Sequence, residues 1–70
     1  MSNLKRIREA NNLSQSQLAE RSGVTLRSIQ VYEQNHRDIN KSQAIVLYKL
    51  SKALGCKIED LLNIEGVDKH

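Results

Sequence analysis

Seventy residues leave room for one domain, and 39% hydrophobic against 27% charged residues places the chain among soluble globular folds. Without an apolar run of about 18 residues no membrane span is expected, and without an apolar stretch after a basic start no secretory leader is expected. The single cysteine, Cys56, cannot close an internal disulfide or supply a CxxC zinc site, a usage that fits a reducing cytoplasm. The net charge of +3 is uneven: residues 1–56 carry a net +5 and residues 57–70 a net −2. A basic body suits a partner rich in phosphate.

Strand signals are nearly missing, because no stretch alternates apolar and polar residues. Helical signals recur instead. A first helix is expected over Leu4–Asn11, with Leu4 and Ile7 three apart and Lys5, Arg6 and Glu9 facing outward. Ser14 reads as an N-cap, and Gln17 three residues on completes a capping box. The second helix runs to Ser22 with Leu18 and Ala19 inward, and Gly23 stops it. Thr25 caps a third helix from Leu26 to Glu33 or Gln34, whose Ile29 and Tyr32 face inward. Asn35 is a candidate left-handed residue. Asn35–Asn40 reads as a polar loop, followed by a longest helix over Lys41–Leu54 with Ala44, Leu47, Leu50 and Leu54 as its buried stripe. Gly55 ends that helix, a short fifth helix spans Ile58–Leu62, and a third glycine, Gly66, also sits at a helix stop. Tyr48 is expected at the core edge, and Cys56 as an inert buried thiol. The expected architecture is a compact all-α domain of five helices over residues 1–64, with a polar tail over 65–70.

The connection between the second and third helices is only Ser22, Gly23 and Val24. A turn that short, built on glycine, makes two helices cross steeply, which is helix-turn-helix geometry. Ala19 is small enough for the third helix to pass close, and Val24 and Ile29 plug the angle. In such pairs the later helix enters the major groove of DNA. Here that helix presents Leu26, Arg27, Ser28, Gln30 and Val31. Arginine matches the two acceptors of guanine, glutamine the acceptor–donor edge of adenine, and Leu26 or Val31 a thymine methyl.

The segment Leu13–Glu33, LSQSQLAERSGVTLRSIQVYE, resembles the helix-turn-helix of the Cro/phage-repressor (Xre-like) family. The likeness extends over about residues 3–62, including Leu47–Gly55 and Ile58–Leu62, and implies a five-helix lambda-repressor-like domain. It further implies that Leu26, Arg27, Gln30 and Val31 read bases, and that Gln15, Thr25 and Ser28 hold backbone phosphates. The loop after the third helix would add Gln34, Asn35, His36, Arg37 and Lys41 to the phosphate contacts. Arg8 and Glu33 would form a structural ion pair. Three positions depart from the family's pattern: Asn35 replaces a common glycine, Ser22 stands where an apolar residue is frequent, and Leu26 fills an often polar position. The last departure shifts the weight of hydrogen-bonded readout to Arg27 and Gln30.

Ile45, Val46, Ile64 and Val67 exceed what one small core needs, and are candidate contacts of a homodimer. The function expected is a sequence-specific regulator of double-stranded DNA, a repressor occupying an operator. The alternative is a protein-interaction module, such as an antitoxin or adaptor, on the same fold. Catalysis is not expected: no Gly-rich phosphate loop, GxSxG or HExxH is present, and Glu59 and Asp60, adjacent on a helix, diverge. No metal, cofactor or small-molecule ligand is expected.

Overall fold

The computed structural model describes residues 2–63; Gly66, Ile64, Val67 and the tail over 65–70 lie outside them. Five helices follow one another: α1 (Asn3–Ala10), α2 (Gln15–Ser22), α3 (Leu26–Glu33), α4 (Ala44–Leu54) and α5 (Ile58–Leu61). No strand occurs among the described residues. α2 packs against both α3 and α4, α4 against α5, and α1 reaches α3 and α5. Leu4, Leu18, Ile29, Leu50 and Leu61, one from each helix, are fully buried at the centre.

Local chemistry explains where each helix begins. The Ser2 hydroxyl accepts from the Lys5 amide. The Ser14 hydroxyl accepts from the Gln17 amide at 3.0 Å, and the Gln17 side chain accepts from the Ser14 amide at 2.8 Å, completing the box. Thr25 accepts from the Ser28 amide. Three helices then end in the same way. Asn12, Asn35 and Gly55 adopt left-handed backbone, with φ of 59°, 61° and 65°, and the next amide returns to a carbonyl five residues back. Those bonds are Leu13 N–H to Arg8, His36 N–H to Val31, and Cys56 N–H to Ser51. Asparagine therefore does at Asn35 what Gly55 does at the end of α4. Ser22 carries its own compensation, because its hydroxyl accepts from the Val24 amide and braces the turn.

Gly23 holds the turn between α2 and α3 with φ of 77°, and a Cβ built there would meet nothing within 4 Å. The cost of a side chain is therefore backbone strain alone. Gly23→Ala should lose roughly 1–2 kcal/mol, lowering Tm by roughly 4–16 °C. Gly23→Asn should fall between the two, as thermal melting would show.

Several expectations need correction. Ile39 is not part of a polar loop: it is only 3% exposed and belongs to the core. The Asp38 carboxylate accepts from the Asn40 amide and starts a single 3-10 turn, Ile39–Lys41, which drives Ile39 inward. Because that turn ends at Ser42, α4 begins at Ala44 rather than Lys41, and Ala44 is exposed outside the stripe of Leu47, Leu50 and Leu54. Tyr48 lies 51% exposed, with the Lys52 ammonium 5.9 Å from its ring centre, whereas Tyr32 is buried. Cys56 is half-buried; burial, helped by the charge of Asp60, pushes its thiol pKa up and keeps it protonated and unreactive.

Candidate nucleic-acid interface

The site is built on the ends of α2 and α3. Glu33, the last residue of α3, accepts from Arg8 Nε at 2.7 Å and from Arg8 Nη2 at 3.0 Å, a two-point match of guanidinium and carboxylate. The remaining Arg8 nitrogen, Nη1, donates to the Leu13 carbonyl at 2.7 Å, which the left-handed turn at Asn12 presents. Hydrogen bonding by Glu33 raises the Arg8 pKa above its ordinary value, burial opposes it, and the nearby charges of Glu33 and Glu9 add to the rise. Arg8 therefore stays charged across the neutral and mildly alkaline range.

The same carboxylate positions Gln15 at the first turn of α2. Gln15 Nε2 donates to Glu33 Oε1 at 3.0 Å. An amide nitrogen carries two hydrogens, so the other remains available to an acceptor outside the protein. Arg8, Glu33 and Gln15 thus join α1, the end of α3 and the start of α2 in one hydrogen-bonded unit.

On α3, Arg27 is exposed, Gln30 and Val31 are half-buried, and Leu26 is 37% exposed. Arg27, Gln30, Val31 and Gln34 recur at helical spacing along one face, and His36 closes that face into an open concavity of about 410 Å³. Gln34 and His36, nominated with the phosphate contacts, therefore border the same groove as Arg27 and Gln30. At the other edge of α3, the Thr25 hydroxyl donates to Ser28 Oγ at 2.9 Å. That leaves the Ser28 hydrogen free to donate outward. Arg27 pairs with no carboxylate among the described residues.

Beyond α3, Asn35, His36, Arg37 and Lys41 are all exposed on the connection to α4. Arg37 and Lys41 flank a second concavity of about 420 Å³, between α3 and the start of α4, which Asp38 and Ser42 also line. Among the described residues the buried Ser42 hydroxyl has no hydrogen-bond partner there, and none of their side chains caps the first turn of α4. Ser42 and Gln43 were not among the residues singled out from the sequence. Placing the start of α4 three residues early hid them inside a helix. The signal that could have found them was Asp38, two residues before Asn40 and able to cap a separate turn.

Of the candidate dimer residues, Ile45 is 53% exposed and Val46 packs against the core. Tyr48, one helical turn beyond Ile45, adds to the open apolar surface of α4. No helix among the described residues is long and apolar enough to cross a membrane, and none of their His, Cys, Asp and Glu side chains cluster as a metal site.

The helix-turn-helix family model matches residues 4–61, which takes in the chain from Leu4 of α1 to Leu61 of α5. No curated protein and no solved structure was found to match the chain. The matched stretch takes in capped α2, the glycine turn, α3 with its outward polar face and the two closing helices. The chain belongs to the helix-turn-helix family of the Cro/phage-repressor type, a family of DNA-binding regulators.

Proposed function

We propose that the protein is a sequence-specific repressor that occupies an operator in double-stranded DNA as a dimer. The observation that carries this reading is the outward stripe Arg27, Gln30, Val31 on α3, with Arg27 exposed and unpaired by any described acid and with Gln34 and His36 bordering the same concavity. Arg27 and Gln30 would read base edges, with Leu26 and Val31 against thymine methyls. Gln15, Thr25 and Ser28, with Gln34, Asn35, His36, Arg37 and Lys41, would fix the register through phosphates. Occupying a promoter would repress without chemistry. Ile45 and Tyr48 supply apolar surface for the second copy, whose recognition helix would sit one helical turn away, about 34 Å.

Selection of bound duplexes from a randomised library at moderate salt tests this reading. A near-palindrome with half-sites about 10 base pairs apart, centre to centre, is expected. One enriched half-site would overturn the dimer. No enrichment by folded protein would overturn DNA readout and favour a protein partner on the exposed Leu26, Ile45 and Tyr48.

A further inference from the structure

The connection between α3 and α4 is pinned at three places. Its start is held by the Val31 carbonyl, which accepts from the amides of His36 and Arg37 at 2.9 and 3.3 Å. Its middle is held by Ile39 in the core. The third pin comes from a distant part of the chain. Asn40 Nδ2 donates to the Asn63 carbonyl at 2.9 Å, and Asn40 Oδ1 accepts from the Asn63 amide at 2.8 Å. One side-chain amide thus meets both backbone groups of a residue 23 positions away, as a neighbouring strand would.

From this geometry we infer that Asn40 is a positioning residue for DNA binding: it fastens the connection carrying Arg37 and Lys41 to the chain leaving α5, and so sets the phosphate grip. Asn40 sits inside the 3-10 turn and directly precedes Lys41, while Arg37 stands three residues before it. Asn40 is exposed and adds nothing to the apolar core, and among the described residues its side-chain amide bonds Asn63 alone. The backbone it holds follows α5 and is fixed independently on the other side, where Asn3 Nδ2 donates to the Leu62 carbonyl at 2.8 Å. α1 and α5 therefore give Asn40 a rigid post.

The coupling acts on the bound state as well as on the free one. With both bonds made, the connection keeps one arrangement, and Arg37 and Lys41 stay where α3 and the α4 start place them. Without them, fewer free molecules are competent, and those that bind hold about one phosphate contact fewer, so affinity and its salt dependence both fall. The inference rests on the phosphate roles proposed for Arg37 and Lys41, so the experiment includes variants that test those roles directly.

DNA affinity is measured against salt concentration on the selected duplex and on an unrelated one, for wild type, Asn40→Ala, Asn3→Ala, Arg37→Ala and Lys41→Ala. Asn40→Ala should bind both duplexes about 5- to 10-fold more weakly, because phosphate contacts carry no sequence information. Its dependence of log K on log salt should flatten by about one contact's worth, roughly 0.9. Asn3→Ala releases the neighbouring Leu62 carbonyl but leaves both Asn40 bonds in place, and should lose less affinity and less slope than Asn40→Ala. Thermal melting accompanies each variant, so that lost fold and lost grip are read separately.

A wild-type slope and affinity in Asn40→Ala would overturn the coupling. So would an equal loss in Asn3→Ala, which would mark a general loosening, or a loss confined to the selected duplex. If Arg37→Ala and Lys41→Ala both keep the wild-type slope, the phosphate assignment itself fails and the coupling falls with it. Slopes lowered in those two variants and unchanged in Asn40→Ala would remove the coupling alone.

Discussion

Glu33→Ala should bring the domain close to unfolding at room temperature. The Glu33 carboxylate accepts from Arg8 Nε, Arg8 Nη2 and Gln15 Nε2, and its side chain is 3% exposed against 10% for Arg8. Removing it leaves a guanidinium largely shut away from water with, among the described residues, the Leu13 carbonyl as its one remaining partner. Breaking a buried pair from one side costs about 3–5 kcal/mol, because the remaining charge is desolvated without compensation. A 70-residue chain has only about 3.5–10 kcal/mol to lose. The intact pair need not stabilise the fold by that amount, and the comparison that separates the two quantities is the double variant Arg8→Met, Glu33→Leu. Filling the same space with apolar side chains should restore most of the loss seen in either single variant. Urea unfolding of wild type, Arg8→Met, Glu33→Leu and the double variant measures the cycle, with Glu33→Ala measured beside them. A loss below about 1 kcal/mol in Glu33→Ala would mean that water screens the pair as it does a surface one.

The helices were legible because their signals are local. Ser14 with Gln17, Thr25, Gly23 and Gly55 act through bonds or backbone angles within a few residues, and each lies where the structure uses it. Periodicity placed Leu18, Ile29, Tyr32, Leu47, Leu50 and Leu54 in the core. The stretch between α3 and α4 misled for a physical reason. Ile39 is one apolar residue among polar neighbours, so no period marks it, and its burial depends on a turn that Asp38 caps. Asn12 was passed over similarly, since an asparagine becomes left-handed only when the returning amide finds its carbonyl. The attachment of Asn40 to Asn63 has no local trace at all. Neither residue type distinguishes that arrangement from an ordinary exposed amide, and only the tertiary fold brings the two together. The outward face of α3 could be read from the sequence because it is what remains once Ile29 and Tyr32 are turned inward.

Arg27→Ala should abolish preference at one base pair in each half-site and leave the rest of the operator's pattern intact. Arg27 is the second residue of α3, exposed, free of any described carboxylate, and beside Gln30 on the groove-facing stripe. Its fork of donors suits the two acceptors of guanine in the major groove, a match that discriminates by about 1–3 kcal/mol. A dimer reads two half-sites, so affinity for the full operator should fall by about 2–6 kcal/mol, while affinity for unrelated duplexes changes far less. Arg27→Lys should recover part of the discrimination, because a lysine keeps the charge and loses the planar fork. Leu26→Ala offers the contrast: it removes only apolar contact from the preceding position, and should cost less and alter a different base pair. Repeating the duplex selection with each variant reads these outcomes position by position. If Arg27→Ala keeps every preference and loses affinity evenly on all duplexes, Arg27 holds a phosphate, and the burden of readout passes to Gln30 and the side chains around it.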